Sequence, residues 1–519
     1  MGNIFIFQTR RIGDFFQSIP LLETLSCGGE KNVDILISES TSDVKNIFKG
    51  NINFFTYESL FNRFGSKLTY NIPGSIKNLK FFISDFSKKY ETAVNLNYDI
   101  TNSLFVGLFK NQKKGFIAKC KSTKNSEIIS RSSAAGYLFN IVKNRRFNRI
   151  NIVDIYSLIG SGYPAEIKPR YAVLNLIKNN SDCLKPLRIC ISTGATSVKR
   201  VWYSGSYAAL ISLLADNLNC EIILVGTAEE TAAAAEIKEK IPKNINILDL
   251  TGKTSLYELI YLIKDFDLII SPDTGTLHIA QIFNVPSVSI FTGNAFFYET
   301  GPHTEDSLVI HSNADCYPCL QQEPCMFNYA CKDDIKPEDV FNLAMFQVKK
   351  DKSYLKAIKK GNFSVSICKR LDSVHFYPLM KTEINKPELA AEILKFSWIN
   401  VLSKGKTKIN LNIILKYTKK YYNISKTDVN SLTGELYFVK TLFENGKVAF
   451  AGLQVGGDPD AYYFDKFKDS VKSIGENYNY LKLACDYFLD EINYSAALNG
   501  FDDLILLLDN AVSILKAFI

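Results

Sequence analysis

Strand-like apolar runs alternate with helix-like stretches between residues 187 and 291, and this alternation restricts the fold more than any other feature of the chain. The strand-like runs are LRICIST, EIILVGT, INILDLT, DLIIS and VPSVSIF. Apolar residues at helical spacing separate them, most clearly in SYAALISLLADNL and in SLYELIYLIKDF, which opens with the capping-box spacing of Ser255 and Glu258. Strands that alternate with helices of about ten residues predict a parallel, doubly wound sheet.

The N-terminal part of the chain repeats this pattern in a weaker form. Its strand candidates are NIFIFQ, VDILIS, INFFTY, TAVNLN and GFIAK, with helical stretches between several of them. Ligands of open parallel sheets bind at the carboxyl ends of the strands. Two such sheets that face each other therefore predict a ligand cleft between their carboxyl edges.

The domain organisation follows from these patterns and from the length. A chain of 519 residues corresponds to roughly three domains of about 150 residues. We predict an α/β fold with two Rossmann-like, doubly wound domains, over residues 1–180 and 181–345, that face each other across a cleft. Residues 346–519 have helical spacing and few strand signals, so we predict a mainly helical C-terminal domain.

Composition and charge exclude several classes of protein. With 46% hydrophobic and 22% charged residues the chain is typical of a globular protein, and it has no apolar run of about 18 residues that would cross a membrane. The N-terminus is apolar before it is basic, the reverse of a signal peptide, so we predict a cytoplasmic protein. The net charge of +8 comes from scattered lysines. It is compatible with a solvated surface, or with an anionic partner at the inner face of the membrane. We predict no nucleic-acid partner, and the sequence leaves the oligomeric state open.

The segment SPDTGTLHIA (271–280) places a turn and a helix after a strand. Gly275 allows close approach of the backbone, and the helix that follows offers unpaired amides and the positive end of its dipole. We therefore predict that Asp273, Thr274, Gly275 and His278 belong to a phosphate or diphosphate site. Alternatively, Asp273 is only a helix cap and His278 only a packed side chain.

Two other loops are predicted at the same sheet edge. In STGATSVKRVW (192–202), Thr193 and Lys199 combine a hydroxyl with positive charge, which suits an oxyanion. In VGTAEE (225–230), a carboxylate just past a strand is placed to bind ribose hydroxyls; Glu229 and Glu230 are the two candidates. For the first loop, the alternative is an ordinary strand-to-helix loop in which Lys199 and Arg200 are solvated. For the second, the alternative is an acid in the first turn of a helix.

Four cysteines are clustered in CYPCLQQEPCMFNYAC, a loop that follows the last predicted strand. Cys316, Cys319, Cys325 and Cys331 have the spacing C-x2-C-x5-C-x5-C. Four thiolates can enclose a tetrahedral zinc or iron ion, so we predict a structural metal site, with free or paired thiols and a redox function as alternatives. Such a site has no open coordination position, and the predicted cleft loops contain no Asp-x-Asp pair. We therefore expect no catalytic divalent metal.

Five motifs together resemble those of glycosyltransferase family 9, the heptosyltransferase-like enzymes with a two-Rossmann GT-B fold. They are RIGD, GATSVKRVW, DLTGKTSL, DTGTLHIA and FTGNAFFYETGP, which occur in that family's order and approximate spacing. The resemblance covers roughly residues 1–345, and the helical extension lies outside it. It implies inverting transfer of a sugar from a nucleotide donor, typically ADP-heptose.

The resemblance also implies site residues. Asp14 would be the general base that deprotonates the acceptor hydroxyl in the first domain, which binds the acceptor, and Arg11 and Gly13 would lie on the same side. Lys199, as a catalytic residue, would hold a phosphate of donor or acceptor, together with Thr193 and the amides around Thr274 and Gly275. Glu229 would approach the donor nucleotide in the second domain, with Glu230 as a close rival.

The sequence leaves the acceptor open. A phosphorylated lipopolysaccharide core fits the basic net charge, whereas a protein acceptor would give the helical extension a role in polypeptide recognition. Two other functions use the same fold: a nucleotide-sugar epimerase, against which RIGD argues, and a non-catalytic scaffold that binds sugar nucleotides.

Overall fold

The structure is a computed structural model that describes residues 3–26, 32–48, 52–62, 86–122, 125–165, 185–456, 461–494 and 497–518. The predicted domain boundary between residues 180 and 181 lies outside these ranges, so its position stays a prediction.

The first domain is built on a six-stranded sheet of order β3-β2-β1-β4-β5-β6. Strands β1 to β5 pair in parallel and β6 pairs antiparallel with β5. The strands are β1 Asn3–Gln8, β2 Val33–Ile37, β3 Ile52–Phe55, β4 Tyr90–Asn95, β5 Gln112–Ser122 and β6 Asn125–Arg131. The α-helices described in this domain are α1 Ile12–Gln17, α2 Ile19–Ser26, α3 Tyr57–Asn62, α4 Ile100–Gly107, α5 Ser133–Ile141 and α6 Ile152–Gly160. Two 3₁₀ helices span Glu39–Ile47 and Arg145–Phe147.

The second domain has an eight-stranded sheet of order β14-β13-β12-β11-β10-β7-β8-β9. Its strands are β7 Leu187–Ser192, β8 Cys220–Val225, β9 Ile247–Asp249, β10 Leu268–Pro272, β11 Ser287–Phe291, β12 Leu308–Ser312, β13 Phe363–Arg370 and β14 Val374–Pro378. The helices that accompany them are α7 Ser204–Asn217, α8 Thr231–Glu239, α9 Leu256–Ile263, α10 Gly275–Ile282, α11 Phe297–Thr300, α12 Ala330–Asp333, α13 Pro337–Lys349 and α14 Ser353–Ala357. A short 3₁₀ helix, Ala228–Glu230, precedes α8. Strands β7 to β12 are parallel, and β13 and β14 are antiparallel.

The C-terminal region is mainly helical. Its helices are α15 Lys386–Leu402, α16 Leu411–Tyr421, α17 Lys426–Gly456, α18 Ala461–Asn477, α19 Lys482–Tyr494 and α20 Ala497–Lys516, with a 3₁₀ helix at Asn479–Leu481. Short strands β15 Thr382–Glu383 and β16 Tyr422–Asn423 pair beside them. None of the helices in the described ranges is long and apolar enough to cross a membrane.

The predicted fold class, two doubly wound domains with a helical extension, is confirmed. The sequence pattern predicts helices from residue 346 onwards. In the structure, β13 and β14 follow that residue and lengthen the second sheet. The predicted boundary between residues 345 and 346 falls inside α13. Both strands contain polar or charged residues, which obscured their strand signal.

The strands are buried because helices cover both faces of each sheet. In β1, Phe5 and Phe7 point into an aromatic cluster, while Ile4 and Ile6 belong to the main core on the opposite face. Alternate side chains of a strand face opposite sides of the sheet, so an uninterrupted apolar run fills both cores. Strand β1 ends at Gln8, and the chain enters α1 at Ile12, just beyond the sheet edge.

One buried ion-pair cluster attaches the helical extension to the two α/β domains. Arg149, which is 3% exposed, donates from Nε to Glu392 Oε1 at 3.0 Å and from a terminal nitrogen to Glu388, both on α15. Its guanidinium also lies 4.1 Å from the ring centroid of Tyr298. Arg149 thus joins the first domain, the second domain and the extension.

We predict that Arg149→Ala lowers the free energy of unfolding by about 3–5 kcal/mol, because it removes the guanidinium that is paired with the buried carboxylate of Glu392. Arg188→Ala serves as the matched control, since its ion pair with Glu221 is 30% and 44% exposed. Such a partly exposed pair contributes about 0–1 kcal/mol. Urea unfolding of both variants makes the comparison. Equal losses would show that the cluster does not hold the extension.

Candidate functional site

Asp14 lies in the first turn of α1, directly beyond the carboxyl end of β1. Its side chain is half-exposed, and Oδ1 accepts a hydrogen bond of 3.0 Å from the hydroxyl of Tyr156 on α6. Gln8, the last residue of β1, donates from its side-chain amide to the Asp14 carbonyl at 3.3 Å. A carboxylate is therefore held at the sheet edge while part of it stays open to solvent.

The two domains meet closely beside this carboxylate. A Cβ atom at Gly13 would lie only 2.8 Å from Cδ2 of His278 on α10. A Cβ at Gly275, the first residue of α10, would lie 3.5 Å from Cγ2 of Ile12. Helices α1 and α10 thus pack against each other across the cleft, and Gly13 is needed because any side chain there would collide with the imidazole.

His278 belongs to a buried polar chain. Its Nε2 lies 3.2 Å from Oδ1 of Asp273, and Arg200 donates to the other Asp273 oxygen at 2.9 Å. Burial alone would raise the pKa of Asp273, but the hydrogen bond with His278 and the positive charge of Arg200 outweigh it, so the pKa is lowered. Asp273 is therefore an anion that orients the imidazole.

The N-terminus of α10 lies near Ile12 of α1 and has no side-chain cap. The N-cap residue is Thr274, whose hydroxyl pairs with Ser271 at 2.9 Å and makes no cap bond. The alternative that Asp273 is the helix cap is therefore not what the structure shows. Uncapped first-turn amides and the helix dipole form a site suited to a phosphate.

The donor-nucleotide candidates lie at the edge formed by β7 and β8. Thr193 is 1% exposed, and its hydroxyl has no hydrogen-bond partner in the part of the chain that the structure describes. The Glu230 carboxylate packs against two glycines: a Cβ would lie 1.9 Å from it at Gly194 and 2.4 Å at Gly226. Glu229, in contrast, is exposed.

Glu230 is also fixed by its backbone surroundings. Its Oε2 accepts the Thr227 amide at 2.8 Å, and burial raises the pKa of its carboxyl above the usual value. Of the two candidate acids, Glu230 is the one that lies between the loops containing Gly194 and Gly226.

Lys199 is turned towards the cysteine-rich loop. It is 7% exposed, and its ammonium donates to the carbonyls of Leu320 at 2.9 Å, of Gln321 at 3.4 Å and of Glu323. The neighbouring Arg200, rather than Lys199, points to Asp273. The predicted phosphate role of Lys199 stays a prediction, and it requires the ammonium to leave these carbonyls.

The four loop cysteines are free thiols close to one another. Cys325 accepts hydrogen bonds from the amides of Phe327 and Tyr329, which lower the pKa of its thiol. Burial and the neighbouring Cys316 raise the pKa of Cys319 to about 11, and burial also raises the pKa of Cys331. Within the described ranges, no three such side chains are already arranged as ligands of one metal ion.

Arg145 is a functional candidate that sequence reasoning missed. Its guanidinium makes a salt bridge of 2.7 Å with Glu299 and donates to the carbonyls of Asn294 at 2.9 Å and Cys319 at 3.3 Å. It therefore connects the first domain with the second domain and with the cysteine-rich loop. No motif marks it, because its partners lie about 150 residues away in the chain.

The structure thus divides the predicted site residues into three groups. The first group, at the contact between the domains, contains Gly13, Asp14, Asp273, Thr274, Gly275 and His278. The second, Thr193 with Glu230, lies at the β7–β8 edge. The third, Lys199 with the four cysteines, forms a separate cluster. Arg11 is exposed at the start of α1 and makes no side-chain cap bond. Their functional roles stay predictions.

Comparisons with known proteins agree with this geometry. The model of glycosyltransferase family 9 (heptosyltransferase) matches residues 89–330. Lipooligosaccharide heptosyltransferase 2 of Campylobacter jejuni subsp. jejuni serotype O:6 is 23% identical over 322 residues, which cover 59% of this chain and 92% of that protein. The protein of the same name from serotype O:2 is 22% identical over 357 residues, which cover 66% and 97%.

A solved structure has the same fold. The glycosyl transferase family 9 protein from Veillonella parvula aligns with a TM-score of 0.50 at 15% identity, covering 67% of this chain and 98% of that one. The match to the family model and the two relatives aligned over almost their full length lead to one conclusion. Residues 89–330 are a glycosyltransferase family 9 domain, and the chain is a heptosyltransferase-like glycosyltransferase.

Proposed function

We propose that the protein transfers a heptose from ADP-heptose to an acceptor hydroxyl, with inversion at the anomeric carbon. One observation carries this proposal: the Asp14 carboxylate of the first domain lies beside the point where α1 packs against α10, whose N-terminus has no side-chain cap. A base and an anion site therefore come from opposite sides of one cleft.

In this reaction Asp14 accepts the proton of the acceptor hydroxyl, and the hydroxyl oxygen attacks the anomeric carbon. The bond between that carbon and the diphosphate oxygen breaks at the same time, and ADP leaves with the bonding electrons. The amides at the start of α10 stabilise the negative charge on the diphosphate. Attack and departure on opposite faces of the sugar give inversion.

The nucleotide is proposed to lie along the β7–β8 edge. Thr193 offers a buried hydroxyl, and the Glu230 carboxylate lies between the loops that contain Gly194 and Gly226. Glycine at these positions lets the carboxylate approach both loops, where it would bind ribose hydroxyls. We therefore favour Glu230 over Glu229 as the nucleotide contact.

The acceptor is proposed to be an anionic glycolipid core of the lipooligosaccharide type. Two relatives are named lipooligosaccharide heptosyltransferases, and Arg11 is exposed close to Asp14, where it can attract an anionic group. Such an acceptor would place the enzyme in the cytoplasm, at the inner face of the membrane. A protein acceptor is the second candidate, because the helical extension lies beyond the residues matched by the family model.

The other two functions considered from the sequence are less favoured. An epimerase and a non-catalytic scaffold both disagree with membership of a glycosyltransferase family. A simple observation separates them from a transferase: release of ADP from ADP-heptose depends on the acceptor only if the sugar is transferred.

We further propose that the four loop cysteines hold a structural zinc or iron ion. An all-thiol donor set suits either metal. The amides that bond to Cys325 are also suited to stabilising a thiolate. The thiols would need to move closer together on binding. The ion would fix the carbonyls that hold Lys199 and Arg145, and it would take no part in sugar transfer.

We predict that Asp14→Asn lowers kcat by about 10²–10⁴-fold, the usual contribution of a general base. ADP-heptose should raise the melting temperature of the variant as much as that of the wild type, because donor binding does not need the base. Release of ADP in the presence of a lipooligosaccharide acceptor measures turnover.

Asp216→Asn, which changes an exposed acid on α7, is the matched control and should retain full turnover. If Asp14→Asn also retained full turnover, Asp14 would not be the base.

For the cysteine-rich loop, we predict about one zinc or iron ion per chain after gentle purification, as expected for a closed four-thiolate site. Cys325→Ser should reduce the metal content. Cys220→Ser, a half-buried thiol at the start of β8, should leave it unchanged. Elemental analysis decides, and a wild-type protein without either metal would refute the proposal.

A further inference from the structure

Tyr156 is not among the site residues predicted from the sequence, yet its hydroxyl is bonded to Asp14. Tyr156 lies on α6, is 1% exposed and donates to Oδ1 of Asp14 over 3.0 Å. The two residues are separated by 142 positions. Both residues belong to the first domain, so the contact does not depend on the second domain.

The direction of this hydrogen bond is fixed by its surroundings. An ionised carboxylate only accepts, so the tyrosine hydroxyl must donate. The side chain of Gln8, which is fully buried, lies near the same hydroxyl. Burial, followed by the negative charge of Asp14, holds the pKa of Tyr156 well above its ordinary value. Tyr156 therefore keeps its proton and remains a donor.

Nothing else in the described ranges orients the Asp14 side chain. Helix α1 has only six residues, and its N-cap, Arg11, makes no side-chain cap bond. Gln8 donates to the Asp14 backbone and not to its carboxylate. Within the described part of the chain, Oδ2 of Asp14 has no hydrogen-bond partner, which leaves one oxygen for the proton of an acceptor.

We propose that Tyr156 is a positioning residue that fixes the rotamer of Asp14, holding Oδ1 so that Oδ2 faces the acceptor hydroxyl. This inference rests on the proposed function, because it acts through Asp14 as the base. Loss of the hydroxyl would free the carboxylate to rotate. A misaligned base is slow even when the substrates bind normally.

A purely structural role for Tyr156 makes a different prediction. Its ring is buried against the core, so its removal would destabilise the domain and disturb substrate binding together with turnover. Tyr156→Phe keeps the ring and deletes only the hydroxyl. Tyr137→Phe is the matched control: Tyr137 is equally buried on α5, and its hydroxyl donates to Asn148 at 2.8 Å, away from Asp14.

The test measures kcat and KM for ADP-heptose and for a lipooligosaccharide acceptor, together with melting temperature. Tyr156→Phe should lower kcat by about tenfold to a hundredfold, the value of a hydrogen bond to a charged group, with KM within about twofold. Tyr137→Phe should keep both kcat and KM close to the wild-type values.

A double-mutant cycle with Asp14→Asn separates positioning from a general effect on the fold. In the Asp14→Asn background, the additional change Tyr156→Phe should alter kcat less than about twofold, because no base remains to be positioned.

Each outcome has a definite meaning. A wild-type kcat in Tyr156→Phe, or a kcat loss that persists in the Asp14→Asn background, would overturn the role of Tyr156 and leave the proposed function standing. A rise in KM with unchanged kcat would also overturn it. A wild-type protein that transfers no heptose from ADP-heptose to any acceptor would overturn the proposed function and this inference together.

Discussion

The contact between Gly13 and His278 is the constraint on which the rest of the site depends. A Cβ at position 13 would lie 2.8 Å from the imidazole, so only glycine lets α1 approach α10 this closely. The approach brings the carboxyl edges of two separate sheets together. Each edge alone offers half a site: a carboxylate on one side and helix amides on the other. Packing of the two domains joins them.

A buried polar network continues from this contact into the second domain. His278 is bonded to Asp273, Asp273 to Arg200, and Arg200 to Asn294, whose carbonyl accepts from Arg145 of the first domain. Every member has a partner, and a satisfied network in a low-dielectric interior favours one arrangement over others. The network therefore fixes the relative position of the sheets, and it reaches the cysteine-rich loop through Arg145.

Much of this architecture could be predicted from the sequence, because strand–helix alternation is a local signal. The loops of the site were also predictable, since parallel strands end at one edge and bring their following residues together. The hydrogen-bond partners of individual side chains could not be predicted. Lys199 and Arg200 are adjacent, yet one bonds the loop carbonyls and the other Asp273. Tyr156 lies in an apolar helix, where no motif distinguishes a core tyrosine from one that bonds a carboxylate of the site.

In the proposed reaction a single carboxylate, held at the edge of the first sheet, drives one displacement at the anomeric carbon. The stereochemistry of the product tests this most directly. Transfer from ADP-heptose to a glycolipid acceptor, followed by NMR measurement of the one-bond C1–H1 coupling in the new linkage, reports its anomeric configuration. A single displacement gives the configuration opposite to that of the donor. The same configuration as the donor would require two displacements or front-side attack, and would contradict the assignment of Asp14 as the base.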